Sequence, residues 1–284
     1  MKRQFNILPI ILISFLAACQ HAGKSRPFQE IESDLSESRI SVQEFQNILD
    51  SAGVEGCILV YKFNDKTWLS NDFNWAEIGR LPASTFKIPN SIIALETGVM
   101  ESDSSIIPWD GHKRWLDSWN KDMTLGEALQ FSCVPCYQRI AREVGADRMR
   151  QWLDTLHYGQ MVFDSNTIDK FWLEGNSKIS PYEQIDFLKR LYFKEIPISV
   201  NTSTIITRML ILDKNTQFTL SGKTGWSIRG GNNNGWFVGY VETENGVSFF
   251  ATNVNPGTEF KMDFFPVIRK QITMAALKKV NVIH

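Results

Sequence analysis

Ser84 and Lys87 stand three positions apart in the run LPASTFKIPNSIIALETG, Leu81 to Gly98. Pro89 is tolerated only near a helix's first turn, and Ile88, Ile92, Ile93 and Leu95 recur with helical spacing, so a helix is expected to begin at this serine. Positions i and i+3 share a helix face, which sets a hydroxyl beside an amine. The chemistry open to such a pair is nucleophilic. A lysine without its proton can take the serine's, and the N–H groups and positive dipole end at a helix start can steady an oxyanion. A protonated lysine cannot serve as base. Keeping it neutral at pH 7 against an ordinary value of about 10.4 requires a drop of roughly 3.4, or about 4.6 kcal/mol, which apolar burial can supply. By itself the tetrapeptide reads more readily as an N-cap serine followed by a solvated lysine.

Two other blocks change that balance. In SGKTGW, 221–226, Lys223 and Thr224 fall on a late strand, where a cation and a hydroxyl can face an anionic ligand while Gly222 and Gly225 let its backbone come close. A strand ending in a glycine turn is the plain alternative. In FSCVPCYQ, 131–138, Ser132 stands just ahead of Pro135, which opens a new helix, and simple N-capping is the alternative there.

Other reactive residue types offer less. His21, His112, His157 and His284 are scattered without ligand spacing, so no metal is expected, and His157 is read as a surface residue at a helix end. RGGNNNG, 229–235, joins two strands and reads as a flexible hairpin loop, not a phosphate cradle. CVPC, 133–136, has redox spacing, which leaves a catalytic dithiol, a structural disulfide or plain core cysteines open.

The elements that must position these residues follow from the rest of the chain. It has 284 residues, 43% hydrophobic and 21% charged, enough for one large core or two smaller ones. Its 30 basic and 31 acidic side chains, with no dense Lys/Arg run, exclude nucleic acid as a partner, because such binding neutralises many phosphates. Lys2 and Arg3, an apolar run and small residues lay out a secretory signal peptide over 1–18, and Leu16-Ala17-Ala18-Cys19 resembles a lipobox whose cysteine would carry a lipid anchor. Residues 19–39 are polar and patternless and read as a tether, leaving 40–284 as the folded domain.

Within it, Ser41 with Glu44 is expected to box the start of a helix reaching Ser51, and EGCILVYKFN and KTWLSN read as strands. Residues 84–212 read as mostly helical, with capping boxes at Thr124/Glu127 and Ser180/Glu183. QFTLSGKTGW, GWFVGYVE and GVSFFATNV then read as strands, with Asn245-Gly246 as a hairpin turn, before a helix from Met262 to Lys278. This order implies an α+β fold: an antiparallel sheet flanked by N- and C-terminal helices, with a mostly helical inserted region. The chemistry is expected in the cleft where the layers meet.

Together the blocks resemble the penicillin-recognising serine enzymes, with their S-x-x-K and K-T-G motifs. Within them the chain resembles the class D β-lactamases, on PASTFKIPNSIIALETG, Ser132-Cys133-Val134, FWLEG at 171–175, SGKTGW and GWFVGY, over the whole domain from Ile40. The resemblance implies hydrolysis of β-lactam antibiotics by an exported, periplasmic enzyme, and it implies the role of each residue. Ser84 would be the nucleophile that carries the acyl group. Lys87 would take up carbon dioxide as a carbamate and act as general base, with no other cofactor. Trp172, otherwise read as a core aromatic, would hold that carbamate through its indole N–H between apolar walls at Val134 and Leu173. Ser132 would relay a proton beside Lys223, and the main-chain N–H groups of Ser84 and Trp226 would form the oxyanion hole. Thr224 and Gly225, with Arg269, would hold the substrate carboxylate, although Arg269 among Lys261, Lys270 and Lys278 also fits a solvated helix face. One triplet departs from the family: Tyr158-Gly159-Gln160 has Gln where Asn is usual, which puts a helper role there in doubt. The competing readings are a β-lactam sensor that stays acylated, a cell-wall transpeptidase, and a thiol oxidoreductase built on CVPC.

Overall fold

The computed structural model describes residues 37–284. The signal peptide and the lipidation expected at Cys19 lie outside these residues, as does nearly all of the tether. Its last two residues, Ser38 and Arg39, already belong to a strand, β1 (Ser38–Ser41). That strand pairs in parallel with β3 (Thr67–Ser70) and so occupies Ser41. Helix α1 (Gln43–Ser51) starts from Val42 with no side-chain cap, and the box expected from Ser41 and Glu44 does not form. A cap contributes only about 1 kcal/mol, and the strand pairing outweighs it.

The main sheet has the order β1-β3-β2-β9-β8-β7-β6. β2 (Val54–Lys62) and β3 precede the insert, and β7 (Phe218–Arg229), β8 (Asn232–Thr243) and β9 (Gly246–Pro256) follow it, all paired antiparallel. β6 (Ile211–Lys214), at the end of the stretch read as helical, adds an edge strand. The stretch expected to be a loop at 229–235 is instead strand on both sides of a turn at Gly230-Gly231, whose φ values of 55° and 80° suit a two-residue hairpin. Asn-rich composition reads as loop, but pairing of 226–229 with 232–235 decides the matter.

Alternation along the strands separates two cores. Cys57, Leu59 and Tyr61 of β2 join a core with the helical insert, whereas Ile58 and Val60 join a second core with Phe45 and Leu49 of α1 and Phe265 and Ile272 of α9 (Phe265–Lys279). The terminal helices therefore flank one face. The other face carries α2 (Phe73–Glu77), α3 (Lys87–Glu96), α4 (Leu125–Gln130), α5 (Val134–Val144), α6 (Ala146–Leu156), α7 (Pro181–Tyr192) and α8 (Val200–Met209), with a short ladder of β4 (Ile106–Ile107) and β5 (Met123–Thr124). Both expected capping boxes, on α4 and α7, are formed. Among the described residues no helix is long and apolar enough to cross a membrane.

Candidate active site

Ser84 lies in a 3₁₀ turn, Ala83–Phe86, that runs directly into α3. This turn is clamped from two sides. Asn234 Nδ2 and Trp236 Nε1 of β8 both donate to the Leu81 carbonyl at 2.8 Å, and Ala83 N–H donates to the Trp172 carbonyl at 2.8 Å. β7 presses on it as well: a Cβ added at Gly225 would lie 3.2 Å from the Pro82 oxygen and from Thr85 Cγ2, so glycine permits the approach. Ala83 itself is held at φ 51°, a left-handed conformation costly to a residue with a side chain.

Lys87 is 0% exposed, and its Nζ donates to Ser84 Oγ at 2.9 Å. Burial holds the amine well below the usual lysine range, and repulsion from Lys223 adds to it. Behind it, Ser91 Oγ donates to the Lys87 carbonyl at 2.8 Å and lies 2.6 Å from the Tyr137 hydroxyl, while Lys87 Nζ sits 5.2 Å from the Tyr137 ring centroid. In the sequence, Ser91 hints at this buttress only by lying four residues beyond Lys87 on one helix face, and Tyr137 carries no signal beyond an apolar helix position.

Ser132 is not an N-cap; Cys133 caps α5 through its sulfur, which accepts from Cys136 N–H. Ser132 instead sits at φ 54° with Oγ accepting from Lys223 Nζ at 2.6 Å. Lys223 also donates to the Thr224 carbonyl at 2.9 Å, and burial, then Arg269, lowers its pKa to about 7. Thr224 is half-buried beside it on β7. Arg269 does not lie on a solvated face. It is buried, donates to the carbonyls of Gly225, Phe265 and Pro266, and burial lowers its pKa to about 10. Gly235 makes room for it, since a Cβ there would lie 2.7 Å from Arg269 Cδ. Trp226 is half-buried, with its Nε1 donating to Asn233 Oδ1 at 2.9 Å and its ring edge-on to Phe265.

Val134 opens α5 half-buried, and Leu173 packs half-buried on the core that contains Trp172. Trp172 is fully buried and stacks on Phe86 at 5.2 Å between centroids, yet its indole N–H meets no acceptor among the described residues. Such a buried donor costs roughly 1–3 kcal/mol. The chemistry of this orphan donor suits an anionic acceptor. Tyr158 is buried with its hydroxyl 3.1 Å from Thr85 Oγ1, which also accepts from Gln184 Nε2 at 2.8 Å, but Gln160 is exposed and joins Lys178 only through main-chain bonds. The departure in the Tyr158-Gly159-Gln160 triplet thus falls on an exposed side chain. His157 is exposed at the end of α6, and among the described residues no three His, Cys, Asp or Glu side chains gather as a metal site.

The arrangement is a hydroxyl beside a buried amine, a second hydroxyl beside a second lysine, and a buried arginine behind the strand that carries it. A family model, the penicillin-binding protein transpeptidase domain, matches residues 57–267. The chain is 39% identical to β-lactamase OXA-10 of Pseudomonas aeruginosa over 81% of this chain and 86% of that one. It is 36% identical to the probable β-lactamase YbxI of Bacillus subtilis (strain 168), over 100% of this chain and 99% of that one. The crystal structure of a class D β-lactamase from Sebaldella termitidis matches with a TM-score of 0.83 at 36% identity, covering 88% of this chain and 100% of that one. With the motifs in place on the same sheet and helices, the chain belongs to the penicillin-binding transpeptidase-domain family and, within it, to the class D serine β-lactamases.

Proposed function

We propose that this protein hydrolyses β-lactam antibiotics through an acyl-enzyme on Ser84, with N-carboxylated Lys87 as general base, and so confers resistance. The observation that carries the reading is the buried Lys87 amine within hydrogen-bond reach of Ser84 Oγ. When carbon dioxide is bound to that amine, the resulting carbamate supplies the base for both acylation and deacylation. Trp172, with its unpaired indole N–H, would hold it, between Val134 and Leu173.

Ser84 Oγ gives up its proton and attacks the ring carbonyl carbon; the C–N bond breaks and the acyl group stays on Ser84 as an ester. Main-chain N–H groups of Ser84 and Trp226 take the oxyanion, at about 3 kcal/mol per donor. Ser132 passes a proton to the departing ring nitrogen, and Lys223 replenishes it over their 2.6 Å bond. Thr224, Gly225 and Arg269 form the cationic end that takes the substrate carboxylate. Arg269 acts from behind the strand, through the Gly225 carbonyl and its charge. Water then hydrolyses the ester.

We place the mature enzyme outside the cytoplasm, in the periplasm, with a lipid anchor at Cys19. The Cys133–Cys136 disulfide suits an oxidising compartment. Mixing the purified protein with a chromogenic cephalosporin tests the reading: sustained turnover, abolished by Ser84→Ala, is the expected result. A burst of one equivalent with no turnover would identify a sensor or transpeptidase instead.

A further inference from the structure

We propose that the Cys133–Cys136 disulfide is a redox-addressable clasp that positions Ser132, a role that rests on the reaction just described. Ser132 is a residue with a side chain at φ 54°, and such a conformation persists only where its surroundings over-determine it. On the α4 side they do so with main-chain bonds: Ser132 N–H donates to the Leu129 carbonyl at 3.2 Å and Cys133 N–H to the Ala128 carbonyl at 2.9 Å. On the α5 side Cys133 is tied to the first helical turn by the disulfide, across 5.4 Å between Cα atoms, and by its sulfur accepting from Cys136 N–H. The residue held between these restraints carries the hydroxyl that Lys223 contacts. Opening the disulfide removes the covalent tie on the α5 side, leaving only the Cys136 N–H bond there, and so loosens the left-handed turn and frees the hydroxyl to leave that contact.

The clasp is also within reach of solvent. Both sulfur-bearing residues line a cavity of about 300 Å³ together with Pro108, Trp109, Trp119 and Lys121. Cys133 is 0% exposed and Cys136 9%, so attack falls on Cys136. A thiolate of an external dithiol bonds to Cys136 Sγ, the S–S bond breaks, and Cys133 leaves as a thiolate at the N-cap of an 11-residue helix, where first-turn N–H groups stabilise it. The second thiolate of the dithiol then displaces Cys136. Two electrons pass to the protein, the dithiol becomes a cyclic disulfide, and both cysteines take up protons. Cys57, buried and with its thiol pushed up to about 12 by burial, stays inert.

The test uses the purified protein, oxidised and then treated with dithiothreitol under native conditions. Alkylation with peptide mapping reads which thiols open, acylation by a fluorescent penicillin reads the rate at Ser84, and amide exchange over 131–136 reads the turn. The expected result is alkylation at Cys133 and Cys136 but not Cys57, faster exchange, and acylation slowed about tenfold with unchanged circular dichroism, restored on reoxidation. Cys133→Ser with Cys136→Ala, which keeps a capping oxygen, should match the reduced rate and ignore the reductant. Acylation within twofold of the oxidised rate after full reduction, failure of the two thiols to open, or a variant that still responds to dithiothreitol would each overturn the clasp. If neither form acylates, the hydrolase reading fails, and the exchange result alone decides the clasp: unchanged protection over 131–136 rejects it.

Discussion

Lys223 Nζ donates to Ser132 Oγ over 2.6 Å and so joins a sheet strand to a turn of the helical insert 91 positions away. The turn's left-handed φ of 54° is the backbone condition for that contact. Ser132→Ala should slow acylation by about 10²-fold or more, as loss of a positioned proton relay does. Ser132→Gly should lose as much activity yet be more stable than the alanine variant by about 1 kcal/mol, because glycine carries no penalty there. Thermal melts of the two variants decide it, and a glycine variant that melts lower would contradict the strain.

Two buried lysines give stability a pH dependence of known sign. Burial lowers Lys223 to about 7 and Lys87 well below its usual range. Above about pH 7, therefore, the unfolded chain holds a proton that folded Lys223 has released, and stability rises with pH toward pH 9 by up to about 1.4 kcal/mol per unit from this lysine, with Lys87 adding in the same direction. Above that, Tyr61, Tyr192 and Tyr240, raised to about 12, reverse the slope as the unfolded chain ionises first. In carbon-dioxide-free buffer the Tm should be higher at pH 9 than at pH 7, and Lys223→Met should flatten the rise. A Tm that falls over this range would rule the account out.

Trp172→Phe keeps a ring to stack on Phe86 and removes the unpaired indole N–H. Without carbon dioxide the variant should be at least as stable as the parent. It should need about tenfold or more bicarbonate for half-maximal activity, since a buried anion loses a charge-assisted donor. A bicarbonate titration followed by turnover checks this; an unchanged midpoint would leave Trp172 a core aromatic.

Arg269 and Gly235 are coupled by space. An alanine at 235 would bring a Cβ within 2.7 Å of Arg269 Cδ and Phe265 Cζ, so the arginine must shift. Gly235→Ala and Arg269→Ala should each raise KM for a penicillin, by about tenfold for the latter, with kcat changed much less. Steady-state kinetics checks it, and a loss confined to kcat would remove Arg269 from substrate binding.

Much of this site was legible in the chain because its signals are local. The i, i+3 placement of Ser84 and Lys87 and the capping boxes on α4 and α7 need only a few neighbouring residues. What failed depended on distant partners. Ser41 caps no helix because β3 claims it for a strand, and the Asn-rich 232–235 is strand because 226–229 lies opposite. For Arg269 the sequence leaves a solvated face open beside the carboxylate-binding role that the resemblance implies, and only the fold removes it: Phe265, Arg269, Ile272, Thr273 and Ala276 belong to the buried stripe of α9. The Thr85, Tyr158 and Gln184 hydrogen bonds join residues up to 99 positions apart, and no spacing in the chain announces them.

The most direct test of the central claim is turnover of a penicillin at pH 6 in buffer stripped of carbon dioxide, before and after bicarbonate is added. With a buried Lys87 amine held well below the usual lysine range beside Ser84, activity should drop at least about tenfold on stripping and return on addition, and Lys87→Met should show neither. Full turnover that ignores bicarbonate would contradict it.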